Sequence, residues 1–260
     1  MNSLAGLFPD GNFRFQLTLR RDDPREFFRP DDATGRLLAE RAGWLASEPA
    51  TYAALLPEGE PLLAEFATLC AEWGIASGDS VGALGAALEP DFLLLSPDAT
   101  GAFRLRGGAL CFPTGWALAE KLGHTLDFIH GVVPGLNAAL GSPIHQFLAR
   151  LKPGAAFLRD NWGIAATDEL NLHPSRALSS PVPPVTLDRL WLRVEHQAFV
   201  AQPRTGGVLF GIRIALHRLD EVARDAAAAA GLRRALATMP ADFAAYKRLD
   251  RVREPVIALL

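Results

Sequence analysis

Apolar positions along the chain follow two rhythms. Between residues 30 and 75 they recur at helical spacing. Leu37, Leu38 and Leu45 share a face with Arg41 in "DATGRLLAERAGWLA", and Leu62, Leu63, Phe66, Leu69 and Trp73 repeat the pattern in "PLLAEFATLCAEW". These segments predict two or three amphipathic helices. "DEVARDAAAAAGLRRALATM", at 220–239, predicts another, with an alanine run that loses little side-chain entropy on folding.

The second rhythm is that of strands. "DFLLLS", "FRLRGGALCF", "AFLRDNWGI", "LWLRVEHQAF" and "GGVLFGIRIAL" are short, rich in Phe, Leu, Val and Ile, and bounded by turn residues. A helical insert, 115–151, separates the second from the third. Strands grouped in this way, without regular βαβ alternation, predict an α+β fold with an antiparallel sheet of about five strands. The whole chain, 1–260, reads as one domain. It has a helical N-terminal region (1–90), a sheet core (91–218) that contains the insert, and C-terminal helices (219–260).

The last two strands, paired around "VAQPRT", predict two faces. One would carry Leu190, Leu192, Val194, His196 and Ala198 opposite Val208, Phe210, Ile212 and Ile214. The other would carry Arg193, Glu195, Gln197 and Arg213 as a cross-strand charge network, with Glu195 between two arginines. His196, alone on an apolar stripe, reads first as a hydrogen-bonded core residue.

Composition narrows the classes. A length of 260 residues, about half of them apolar, and a formal charge of −3 describe an ordinary globular chain. That charge offers no electrostatic case for nucleic acid or for an anionic membrane surface. Two cysteines, Cys70 and Cys111, exclude a disulfide framework and a four-cysteine zinc site, and they suit a reducing cytoplasm. No basic-then-apolar leader opens the sequence, so no signal peptide is expected. No apolar run approaches the ~20 residues that a spanning helix needs.

"GDSVG", at 78–82, matches the nucleophile-elbow pattern around Ser80, but a helix, not a strand, is predicted before it; a serine hydrolase is therefore the outside reading. The glycine-rich "VGALGAA" and "RTGGVLFG" lack the lysine and the strand–loop–helix setting of phosphate loops. In "HTLDFIHGVVPGLN", Thr125 is placed to cap a short helix that carries Leu126, Ile129 and His130 on one face. Gly131 is expected as its left-handed terminator. His130 then reads either as a helix C-terminal residue favoured by the dipole or as an imidazole offered from an apolar face to a metal.

From residue 13 to about 250 the chain resembles the heme-dependent oxidative N-demethylase alpha-subunit family. The resemblance runs in order through "FRFQLTLRRDDP", "FFRPDDATGRLLAERAGWLA", "ALCFPTGWALAEKLGHTLDFIHGVVPGLN", "LRDNWGI", "LWLRVEHQAF", "QPRTGGVLFGIRIAL" and "MPADFAAYK". It implies a PAS-like antiparallel sheet flanked by helices and holding heme b. His130 becomes the first candidate for the iron ligand and His196 the second. Arg159 and Trp162, in a family-like strand with Asn161, would contact propionates or only order the sheet. Arg193, His196 and Arg213 complete the candidate heme contacts. Glu195 would attract an amine or simply pair with Arg193 or Arg213. The implied chemistry uses reduced heme and dioxygen to convert a small methylated amine, through a carbinolamine, to formaldehyde and the shorter amine. Electrons would come from a separate reductase subunit. A heme-binding PAS-type sensor or carrier without turnover is the alternative, and a heme-free ligand-binding protein a third. The family's relatives tend to carry arginine where this chain has His196, and a small polar residue where it has Ile214; that departure bears on the activity more than on the fold.

Overall fold

The fold described below is that of a computed structural model, which describes residues 4–260; Met1, Asn2 and Ser3 of the predicted N-terminal region lie outside the described residues. The predicted strands form as β3 (Asp91–Pro97), β4 (Phe103–Ala109), β5 (Ala156–Ala165), β6 (Trp191–Ala201) and β7 (Val208–Arg218). The sheet is larger than expected. Two short edge strands, β1 (Arg20–Arg21) and β2 (Ala53–Leu55), extend it to seven in the order β1-β5-β6-β7-β3-β4-β2, with every pairing antiparallel. Both fall in the region read as helical. At two and three residues they are too short to show alternation, and only pairing to β5 and β4 extends them.

The predicted helices are present at Arg36–Ser47, Glu60–Glu72 and Ala226–Thr238. Asp225 starts the last by accepting the amides of Ala227 and Ala228. The insert forms helices Leu126–Gly131 and Leu136–Ala149. Thr125 caps the first through the Phe128 amide at 3.3 Å, as expected. Gly131 is not left-handed; it lies inside the helix, Val132 is the C-cap, and Gly135 takes the positive φ that starts the next helix.

Side-chain alternation divides the sheet into two covered faces. On the front, Leu93, Leu95, Leu105 and Ile212 pack against Leu140, Ile144 and Leu148 of the insert. Behind, Phe92, Leu94, Ala198 and Leu209 pack under Phe27, Phe28, Leu62 and Phe66. Leu192 and Val194 lie under the C-terminal helices with Leu232 and Leu236. Strand β4 lies so close to β3 that residue 108 must be glycine: its φ is 151°, and a Cβ there would run into the Phe92 carbonyl.

The β6–β7 register corrects the expected faces. Glu195 lies opposite Ile214, Gln197 opposite Ile212 and Phe199 opposite Phe210, while His196 lies opposite Arg213. The register is one residue away from the predicted one, and such a step exchanges faces. Arg193, Glu195 and Gln197 therefore share the front with Ile212 and Ile214, and His196 shares the back with Arg213.

Candidate functional site

The front face and the insert enclose a cavity of about 360 Å³ whose wall includes Ile129, His130, Arg159, Glu195, Phe199 and Lys247. A second cavity of about 760 Å³ adjoins it. The two share Trp116, Lys121, Asn161, Glu195 and Lys247, and the outer one extends under the 172–181 loop. Volumes in this range suit a sizeable organic ligand.

His130 projects from the capped helix with Leu126 and Ile129, all three on the cavity wall. Its ring makes no hydrogen bond among the described residues. Burial, then the charges of Arg159 and Lys121, push its pKa down to about 4, so the imidazole is neutral at pH 7 with a free lone pair. The shift has a consequence for stability. An unfolded histidine takes a proton below its ordinary value of 6.5, whereas the folded one resists to about 4. The unfolded state thus binds more protons across that window, and folding stability should fall as pH is lowered through it while being unaffected above it. Urea midpoints at pH 7 and pH 5 should separate more for the parent protein than for His130→Phe; equal separations would reject this coupling.

Arg159, on β5, faces the same space. Its guanidinium makes no hydrogen bond or ion pair among the described residues, and burial lowers its pKa against the opposing pull of Glu195 and Asp160. An unpaired guanidinium in a cavity wall is a ready partner for a carboxylate.

Glu195 is held differently from either expected arrangement. Neither Arg193 nor Arg213 bonds to it. It accepts from Thr114 Oγ1 at 2.5 Å, Gln197 Nε2 at 2.8 Å and Asn161 Nδ2 at 3.1 Å. These bonds and the charges of Arg193 and Lys247 outweigh its burial and keep its carboxyl below the usual range. Arg193 contributes through Thr114, donating from Nε at 3.0 Å. Its other donors go to the carbonyls of Leu170, Phe112 and Glu169. Arg193 thus lines the outer cavity with its donors already engaged.

Of the remaining candidates, Trp162 lines both cavities, whereas Arg213 and His196 line neither. Arg213 is on the back face, paired with Glu89 and donating to the carbonyls of Phe27 and Arg29, where it anchors the N-terminal helices. His196 is also behind the sheet. Its Nδ1 meets Asp160 Oδ1 at 2.6 Å, and the same carboxylate holds Arg20 at 2.8 Å. Sequence alternation aimed His196 at the apolar interior; the register sends it to this polar strip. Trp162 presents its ring to Phe8 at 5.3 Å and its carbonyl to Lys247 Nζ at 2.6 Å. Ser80 caps the Val81–Ala87 helix by accepting the Ala83 amide, and a turn, not a strand, precedes it.

Sequence reasoning missed Lys247 and Lys121. The signal was present in part: Lys247 follows Phe243 by four residues, which on a helix places an amine over an aromatic ring, here at 5.2 Å. Lys121 lies 4.1 Å from the ring centre of Trp116. Burial lowers the pKa of both, that of Lys247 to about 8.

Among the described residues no helix is long and apolar enough to cross a membrane. Residues 72–257 match the family described as "Haem-dependent oxidative N-demethylase, alpha subunit-like". That span includes the five long strands, the insert with His130, and Lys247, and it excludes the resembling segments before residue 72.

Proposed function

The chain belongs to the haem-dependent oxidative N-demethylase, alpha subunit-like family, and on that premise we propose that it binds heme b through His130. In this reading it removes a methyl group from a small amine, using dioxygen and electrons from a separate reductase subunit. The observation that carries the proposal is the neutral, partnerless imidazole of His130 on the wall of a largely apolar cavity.

The residues present fit the group. A porphyrin brings four nitrogens of its own, so the protein need add only an axial one, and His130 has it free. The absence, among the described residues, of three converging His, Cys, Asp or Glu side chains is compatible with such a site. Phe199, Phe210 and Ile212 offer the flat apolar wall that a macrocycle requires, and Arg159 offers counter-charge to a propionate. Bound heme would supply the oxidising chemistry with dioxygen.

The chain's own residues set the conditions around that chemistry. The 126–131 helix fixes the direction of the His130 ring, and the depressed pKa keeps its nitrogen unprotonated. Glu195 places a negative charge on the cavity side of the sheet. Because its oxygens already accept from three donors, it favours a cationic amine through its field and orders Asn161 and Gln197 around the space. Leu140, Ile144 and Phe147 give the inner chamber an apolar wall on the side of the insert.

The five long strands, with a helical insert covering one face, support the PAS-like reading of the sheet. Contact of Phe15 from the N-terminal segment with Phe243, at 5.0 Å, supports one domain over the whole chain. The buried, unpaired thiols of Cys70 and Cys111 suit the cytoplasm.

The test is the absorption spectrum of protein expressed with added heme. A Soret band is expected, followed by formaldehyde release from methylated amines when dithionite or a reductase is supplied. No band under conditions that load a control hemoprotein would reject the reading. A band without formaldehyde would convert it to that of a heme sensor or carrier.

A further inference from the structure

Lys247 stands apart from the heme contacts and has an unusual setting for a lysine. Strand β1 covers β5 only at Phe157 and Leu158, so further along the strand the Trp162 carbonyl is free to accept from Lys247 Nζ. That is the amine's one hydrogen bond, and no carboxylate pairs with it among the described residues. Its flanks are aromatic, with the rings of Phe243 at 5.2 Å and Trp162 at 5.7 Å. It lines both chambers, at their junction, with Tyr246 beside it. Glu195, reaching it from β6, favours the charged form, but that carboxylate is occupied by its own donors. Arg159, from β5, opposes the charge, and Arg248 shares the outer chamber. Burial is the largest influence and takes the amine down to about 8.

We propose that Lys247 is a carbonyl-reactive amine that condenses with small aldehydes entering the cavity, formaldehyde being the smallest of them. The nitrogen lone pair forms a C–N bond to the carbonyl carbon. The carbonyl oxygen leaves as water with the two amine hydrogens, and an imine remains. No electrons change hands and no co-reactant is required. Burial outweighs the attraction of the two ring faces for a cation and favours the neutral amine and the imine over the ammonium ion, and the junction between the chambers gives a small aldehyde a route in. This inference goes beyond the demethylase reading and needs no heme, although an enzyme releasing formaldehyde into this cavity would expose the amine to its own product.

An amine with a pKa of about 8 is neutral in about a tenth of molecules at pH 7, against fewer than about one in a thousand for an ordinary lysine. The chain has three lysines, Lys121, Lys152 and Lys247, so modification can be assigned residue by residue. The experiment treats the folded full chain with limiting formaldehyde and cyanoborohydride, which reduces each imine to a methylamine, and maps the products by peptide mass. At pH 7, Lys247 should be methylated about tenfold or more faster than the exposed Lys152, with the preference lost in urea. The Lys247 rate should level off above about pH 8 to 9, whereas that of Lys152 keeps climbing. A Lys247 rate no greater than that of Lys152 in the folded protein, or one still rising at pH 10, would overturn the assignment. The labelling reports on the amine and the Soret band on heme, so failure of either leaves the other standing.

Discussion

His130→Ala is expected to abolish the Soret band of the heme-loaded protein or to shift it to the spectrum of weakly held heme, with affinity reduced at least about 100-fold. The size of the effect follows from the lack of a substitute. Loss of a surrounding hydrogen bond to a metal-bound histidine already costs about 10- to 100-fold, and here the ligating nitrogen itself is removed. No other described histidine faces the inner chamber in a free state. His145 pairs with Asp127 at 2.8 Å, His124 stacks on Phe128 at 3.9 Å, and His173 is engaged with Ser175 at 2.8 Å. His196 lies behind the sheet on Asp160, and His217, opposite Leu192 on β7, lies on that same face and off the inner chamber's wall. His196→Ala should therefore leave the spectrum unchanged. Added imidazole, entering the space left by the alanine, should restore a ligated spectrum to His130→Ala but not to a misfolded protein. The reverse pattern, with His130→Ala spectrally silent and His196→Ala bleached, would transfer the iron to the other face and reject the site.

That contrast also shows where sequence reasoning stopped. All five long strands and the principal helices were legible, because each carries a strong local period. The register of β6 on β7 was not. Residues 202–207 separate the paired ends Ala201 and Val208, and it is the number of residues in that turn that decides which face of one strand meets which face of the other. Matching apolar to apolar put Ile212 and Ile214 with Val194 and His196. The chain instead sets Arg193, Glu195 and Gln197 beside Ile212 and Ile214, a mixed surface that no core would favour and that a cavity wall requires. A functional site is where pattern and fold are expected to part. Glycine at 131 misled for a related reason. Gly131 follows a histidine in the manner of a helix stop, but the stop that matters is Gly135, which turns the chain into the 136–149 helix above the cavity.

The largest loss of stability is expected from Arg41→Leu. Arg41 was legible as a charged residue on an apolar helix face, and it is fully buried against an equally buried Asp91 at 2.6 Å. Its Nε also donates to the Gly85 carbonyl at 2.8 Å, and its guanidinium lies 5.3 Å from the ring centre of Phe112. Leucine would leave the Asp91 carboxylate uncompensated in the interior, at a cost of about 3–5 kcal/mol. Asp91 is more than a counter-ion: it accepts the amides of Cys111 and Phe112 at 2.6 and 3.0 Å. For that reason a second substitution, Asp91→Asn, should recover only part of the loss, since the neutral amide keeps one oxygen for those amides and removes the unpaired charge. Denaturant midpoints of the parent, single and double variants provide the measurement. A loss below about 1 kcal/mol in Arg41→Leu, or a double variant less stable than the single, would contradict the account. The pair also bears on the site, because the segment it fastens continues through Phe112, whose carbonyl accepts from Arg193, to Thr114, which donates to Glu195. Loosening Asp91 should therefore disturb the carboxylate in the cavity wall at destabilising substitutions too mild to unfold the chain, and Lys247, which feels the field of Glu195, should report it as a change in its titration midpoint.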